Sequence, residues 1–562
     1  MASLSVLSVP VSASHALPED RGLNSEPAWT QICARKRYAR DNSIPKQWRL
    51  PASSATNSTN LLQVPVTCGL LTAEEISITS DFDAVALVEA LRDSKFSAEA
   101  VATAFCKRAA IAQQLTNCLT ETFFDDAIET ARLLDSERRE HPERPLKPLH
   151  GLPISLKDSF HVKSYDSVIG LVCYVDKPAT EDSKLVTLLK SLGAIIYCKT
   201  NVPQTMMTAD SDNNVYGRTL NPHNTTLTAG GSTGGEGSLI ALRGSILGVG
   251  TDIAGSIRIP SSCCGTYGFK PSSSRIPFSG QQDQVPEGMA GIQPSAGPLA
   301  TSMRACQFFL KTVLEANPSQ FDDAVLRIPY QDQFETLPSK KLRIGVIEDD
   351  GLYTPTPPLR RALKESVQKL KAAGHEIVPI KLPNVLENMY LIWDFFSLDG
   401  CETLNQLIDS TSEPLVPSVQ MTGLTVTPGK TLKEFFALNH KREVACKDFN
   451  QIWHDHDLDV MLSLPAPHTT LPFDTWKAIT YTSLLNLYDA PGCIIPVGTV
   501  SQELDLKDDA AQYGELDQEV YKHYSGPEAY RDAPTTLQLI GQIQEDEKLA
   551  AVAVIVDAVL NA

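Results

Sequence analysis

Across 562 residues, no apolar run approaches the roughly 18 residues a membrane-spanning helix needs; Val168-Ile-Gly-Leu-Val-Cys-Tyr-Val175 is among the longest. Basic charge is also scarce. Lys and Arg number 49 against 67 Asp and Glu, for a net charge of −18, and no basic cluster appears. A nucleic-acid partner needs a basic footprint and is therefore not expected; an acidic surface favours solubility. The twelve cysteines are irregularly spaced with no C-x-x-C pair, and the vicinal Cys263-Cys264 is poorly placed for an ordinary disulfide. They read as reduced thiols of a cytoplasmic protein. On that reading the sequons at Asn57 and Asn224 are chance matches.

Several cofactor signatures are missing as well. There is no Walker A loop, and Gly248-Val-Gly250 is followed by Ile253 where a dinucleotide fingerprint requires its third glycine. H-E-x-x-H is absent, and His454-Asp455-His456 reads as a solvated turn before a strand. Neither a metal nor a cofactor is expected. Met1 to Ala16 carries no Lys or Arg before its apolar part, and Pro10 interrupts it, so it reads as a mobile tail and not a signal peptide.

Length alone would allow about three or four domains, yet nothing reads as an interdomain linker. Residues 1–65 hold Pro/Ser/Asn-rich stretches and are expected to form an irregular extension, with one ordered domain over 66–562. Order is expected from Thr72-Ala-Glu-Glu75, a capping box. Helical spacing follows over Asp83 to Arg92, over Ser97 to Gln114 with Ser97 as N-cap, and over Phe124 to Glu137. Beyond residue 150, strands are predicted at Ala194 to Cys198, Lys341 to Ile347, His375 to Ile380, Leu458 to Leu464 and Gly492 to Val497. They alternate with helices at Leu185 to Leu192, Ser238 to Arg243 and Pro358 to Ala373. This alternation indicates an α/β protein with a mixed or mostly parallel sheet.

Against this background three glycine-rich, nearly uncharged segments stand out: Gly151-Leu-Pro-Ile-Ser-Leu-Lys157-Asp158, Gly230-Gly-Ser232-Thr-Gly-Gly-Glu236 and Gly250-Thr-Asp-Ile-Ala-Gly-Ser256-Ile-Arg258. A serine attacks a carbonyl only if its proton is taken as it attacks, and no histidine motif lies near either serine. A lysine can be that base when burial removes its charge, and Lys157 follows an apolar run. The proton would pass from Ser256 to Ser232 to Lys157. Small residues from Thr251 to Ser256 would let backbone N–H groups face a developing oxyanion. Each segment alone is ordinary, a surface Lys-Asp pair or a Gly/Ser turn. A second reading takes Gly230-Gly-Ser232-Thr-Gly234 as the nucleophile elbow of an α/β-hydrolase esterase. The polar run His223 to Ala229 would make a poor strand before it.

These residues carry a resemblance. The chain closely resembles the amidase signature family of Ser-Ser-Lys amide hydrolases from about residue 70 onward, and within it most resembles fungal acetamidases and general amidases. The closer likeness lies in Ala104 to Cys118, Pro148 to Asp158 and Lys199 to Thr205. The resemblance implies one large α/β domain with a mixed, twisted sheet of about eleven strands covered by helices. It implies Ser256 as acylated nucleophile, Ser232 as bridging serine on a cis peptide, and Lys157 as base. Ile253, Ala254, Gly255 and Ser256 would supply oxyanion amides, Thr205 and Met206 would line the acyl site, and Asp252 and Arg258 would orient the loop. Leu464-Pro-Ala-Pro467 and the segment Tyr481 to Asp489 resemble borders of a substrate channel. Thr233 and Ala254 depart from the family's serine and glycine. The methyl of Ala254 is harmless only at negative φ. The expected partner is a small-molecule amide, with a specialised or indole-acetamide-like amide as the alternative substrate. An amidotransferase subunit and a membrane-bound fatty-amide hydrolase share the signature and are disfavoured. Homodimerisation stays open.

Overall fold

The computed structural model describes residues 27–51, 58–334 and 341–562. Its centre is one eleven-stranded sheet. In chain order the strands are β1 (Leu119–Thr122), β2 (Pro153–Lys157), β3 (Ile195–Thr200), β4 (Leu247–Asp252), β5 (Tyr267–Lys270) and β6 (Ser295–Ala300). They continue with β7 (Arg343–Val346), β8 (Glu376–Pro379), β9 (Val460–Ser463), β10 (Gly492–Thr499) and β11 (Pro534–Ile540). Their spatial order is β1-β3-β2-β4-β6-β5-β10-β11-β9-β7-β8. β2 is parallel to β3 and β4, and β7 to β8 and β9, whereas the remaining pairs are antiparallel. The sheet is therefore mixed, as the resemblance implied.

Every residue of β2, β3, β4 and β6 is buried. Helices such as Ala98–Thr116 and Met303–Glu315 bury apolar faces in the core that surrounds these strands. Strands covered on both faces read as continuous apolar runs, which is why Leu247 to Val249 and Ile195 to Cys198 lack alternation.

Local signals place the helix starts well. Thr72 and Glu75 form the reciprocal capping box, and Asp83 and Ser97 cap the helices Ala84–Arg92 and Ala98–Thr116. Two expectations need correction. Residues 28–43, inside the segment expected to be irregular, form a helix, Ala28–Ser43. Its apolar face is short, with Trp29, Ile32 and Cys33 packed against Val168, Val172, Val175, Val215 and Tyr216, and charge completes the docking. Lys36 reaches Asp166 (2.7 Å) and Glu121, Arg37 donates to the carbonyls of Asn214 and Val215, and Arg40 donates to that of Leu119. Residues 1–26 and 52–57, with Asn57, lie outside the described residues. The second correction concerns His454 and His456, which are not in a turn but in the last turn of the helix Leu432–His456, where basic groups suit the carbonyl end.

All twelve cysteines are free and nine are buried. Asn224 is buried and donates to the Arg531 carbonyl, which makes it a poor glycan acceptor.

Candidate active site

The parallel pairing of β2 with β4 sets Ser155 against Gly248 and Leu156 against Val249, so both strands end side by side. Lys157 is the last residue of β2, and Thr251 and Asp252 close β4. Open α/β sheets carry their ligand crevices at these carboxyl ends. Ser232 stands just before the helix Gly234–Ala241, and Ser256 just before the helix Arg258–Cys264.

Lys157 is 1% exposed. Its Nζ donates to Ser232 Oγ at 2.7 Å and to Thr251 Oγ1 at 2.6 Å. Burial pulls its pKa from 10.5 to about 7, against the opposing attraction of Asp252. Neighbouring Asp158 does not neutralise it. That carboxylate accepts from Thr120 Oγ1 (2.6 Å) and the Ile169 N–H (2.7 Å), so the two residues form no surface ion pair. Thr251, the second partner of the lysine, is a residue that sequence reasoning assigned only to the loop.

The Ser232 loop is held by its backbone. The Gly231–Ser232 peptide is cis. A Cβ on Gly231 would lie 2.4 Å from the Thr208 carbonyl, so the close approach demands glycine. Ser211 Oγ donates to the Gly230 carbonyl (2.8 Å) and accepts from the Gly234 N–H (3.0 Å), spanning the serine from both sides. No local pattern announced that role, because Ser211 meets the loop only in the tertiary fold. No strand precedes Ser232: residues 221–231 hold only isolated bridges, at Leu227 and Thr228. The nucleophile-elbow reading, which needs a strand there, is thereby overturned.

Ser256 opens on the same cavity as Lys157, Ser232 and Thr251, and among the described residues its hydroxyl has no hydrogen-bond partner. Its loop is organised by Asp252, which accepts from the N–H groups of Gly255 (2.8 Å) and Ile257 (3.1 Å). The same carboxylate accepts from Arg258 Nε (3.0 Å) and Nη2 (2.9 Å) and from Asn486 Nδ2 (3.0 Å). Burial disfavours the charge, but the adjacent Arg258 more than offsets it and holds the carboxyl well below its usual range. Asp252 and Arg258 thus orient the loop.

Among the four expected oxyanion donors, Gly255 needs correction. Its N–H is spent on Asp252, whereas those of Ile253, Ala254 and Ser256 have no partner among the described residues. Gly255 is required for shape instead, with φ 126° and a built Cβ only 2.4 Å from Thr482 Oγ1. Ala254 avoids positive φ, and its carbonyl accepts from Thr482 Oγ1 at 2.8 Å. We therefore expect Ala254→Gly to change kcat/KM by less than about 3-fold and Gly255→Ala to lower it by roughly 100-fold, since misplacing an oxyanion donor costs that much. Equal effects in steady-state assays would refute this account of the loop.

The cavity measures about 440 Å³, and Met206 and Met207 are among its lining residues. Thr205, expected beside them, is buried behind the wall, with its carbonyl accepting from Gln284 Nε2. The expected channel borders also lie elsewhere. The helix Thr480–Leu487 backs the serine loop through Thr482 and Asn486 without lining the cavity, and neither do residues 464–467. The walls come from residues 274–294, 322–325 and 395–424, where no local pattern marked them.

An eleven-stranded mixed sheet with this site at its carboxyl ends defines a class. The structure superposes on a solved fatty acid amide hydrolase with a TM-score of 0.90 and 29% identity, covering 95% of both chains. Over residues 100–550 the sequence matches the family model described as Amidase. An amidase from Gibberella moniliformis is 37% identical over 549 residues, 95% of this chain and 99% of that protein. An acetamidase from Emericella nidulans is 34% identical over 538 residues, covering 94% and 97%. The chain belongs to the amidase family, in its amidase-signature form, and is an amide hydrolase. Among the described residues, no helix is long and apolar enough to cross a membrane.

Proposed function

We propose that this chain hydrolyses a monocarboxylic amide, R–CO–NH₂, to the carboxylate and ammonia through an acyl–Ser256 intermediate. The observation that carries this reading is the buried Lys157 amine, 2.7 Å from Ser232 Oγ and depressed to about 7. Once neutral, that amine accepts the Ser232 proton across the same contact while Ser232 takes the proton of Ser256. Ser256 Oγ attacks the carbonyl carbon, and the free N–H groups of Ile253, Ala254 and Ser256 receive the oxyanion. The lysine then returns its proton through Ser232 to the leaving nitrogen, ammonia departs, and water repeats the sequence on the ester.

No step in this cycle calls for a metal or cofactor. Release of ammonia and carboxylate in equal amounts from a panel of primary amides tests the reading. A folded enzyme that releases ammonia from none of them defeats it.

A further inference from the structure

The cavity in front of Ser256 is far larger than a two-carbon acyl group needs. About 440 Å³ falls in the range of pockets that enclose drug-sized ligands. One side is apolar, built by Met206, Met207, Phe395, Phe396, Leu404 and Leu424. These residues pack in one apolar cluster that also takes in Ile253 and Ala254 of the serine loop. The apolar wall therefore starts at the reacting atom.

This wall is pre-formed. Gln204, two residues before Met206, is clamped to the segment between Leu404 and Leu424. Its Nε2 donates to Glu413 (2.8 Å), and its Oε1 accepts from the Val416 N–H (2.9 Å). Glu413 also accepts from the Val172 N–H at 2.7 Å. A rigid apolar surface filled only by a methyl group would leave water against the remainder, which is unfavourable.

Charge narrows the occupant further. Lys157 is the sole Lys, Arg or His among the lining residues, and it is neutral when it works. Asp283, Asp322 and Asp399 also line the cavity, with no ion pair to any of them among the described residues. Asp322 accepts from Ser279 Oγ and from the N–H groups of Phe278, Ser279 and Ala324, which together hold it ionised. A carboxylate on the substrate would meet like charge from these three groups, of which Asp322 is buried, Asp399 half-buried and Asp283 exposed.

We propose that the physiological substrate is an amide with a bulky, apolar acyl group bearing no negative charge, selected by Phe395, Leu404 and Leu424. The inference rests on the acyl–Ser256 reading and specifies its substrate class.

The test measures kcat/KM for acetamide, hexanamide, 4-phenylbutanamide and adipamate, the last matching hexanamide in chain length but ending in a carboxylate. Each added methylene in an apolar pocket is worth about 10-fold or more. Hexanamide and 4-phenylbutanamide are therefore expected to exceed acetamide by at least about 100-fold, and adipamate to fall at least about 10-fold below hexanamide. Leu404→Trp, which fills the cavity, should lower the 4-phenylbutanamide value at least about 10-fold more than the acetamide value. Should that variant misfold, Leu404→Ala, which enlarges the cavity, should move the preference toward the longer acyl group. Acetamide or adipamate equalling hexanamide, or cavity variants that leave the ratios unmoved, would overturn the proposal while the acylation reading survives. Hydrolysis of no amide by folded protein would overturn both.

Discussion

Lys157→Met is expected to lower kcat/KM by at least about 10³-fold, the upper part of the range for general acid–base catalysis, and at the same time to make the folded protein more stable at neutral pH. The two effects share a cause. The lysine has a pKa of about 7 in the fold against an ordinary 10.5, because burial penalises its charge. Between those values the unfolded chain binds a proton that the native state does not, so native stability rises with pH across that window. Below about pH 7 the penalty is fully present, and above 10.5 it has vanished. Methionine removes it. The gain in stability should be largest at or below pH 7, of order a few kcal/mol, and should shrink toward pH 10.5. Activity of the native enzyme should climb with pH to a half-maximum near 7, since a protonated amine cannot accept the Ser232 proton. Calorimetry and a kcat/KM profile from pH 5 to 10 check both. Activity that falls from pH 6 to 9, or a methionine variant less stable at pH 6 than at pH 10 relative to the native protein, would sink the lysine-base assignment.

Ser256→Ala should cost roughly four orders of magnitude in kcat/KM or more, because it removes the covalent route itself. It should also leave no acyl group on the protein. The partner experiment separates the two serines. Ser232→Ala interrupts the relay yet leaves the Ser256 hydroxyl open to the cavity, so a reactive ester should still acylate Ser256, slowly, with deacylation slowed as well. Mass spectrometry of quenched enzyme followed by peptide mapping reads this directly. An acyl group found on Ser232 in the Ser256→Ala variant, or none on Ser256 in the Ser232→Ala variant, would reverse the roles given to them. Nothing in the packing forbids folding of either variant, since each loses one hydroxyl.

The three chemical segments were legible because their constraints are local. Glycines at 231 and 255 are dictated by a carbonyl at 2.4 Å and by φ 126°, and such demands leave a mark at a single position. Asp252 and Arg258 were read as loop-orienting for a similar reason, being six residues apart on one turn of chain and hydrogen-bonded to each other. The helix caps were visible on the same grounds. Less visible was the helix Ala28–Ser43, whose partners Asp166, Asn214 and Val215 lie more than a hundred residues away and whose apolar face is limited to Trp29, Ile32 and Cys33. An apolar-periodicity search misses a helix whose apolar face spans little more than one turn.

By itself, then, the sequence determined the α/β class and singled out the residues we propose for the chemistry, because a lysine after an apolar run and serines among glycines are short-range patterns. It missed the second partner of Lys157 and the Ser211 brace, took the Gly255 amide for an oxyanion donor, and named only Met206 among the residues of the apolar wall. Those belong to tertiary structure. They arise where the ends of β2 and β4 are brought together by sheet register, and where residues near 206, 284, 395 and 424 converge on one cavity. A cavity is bounded by side chains distant in the chain, so its size and charge are properties of the packing and of no single segment.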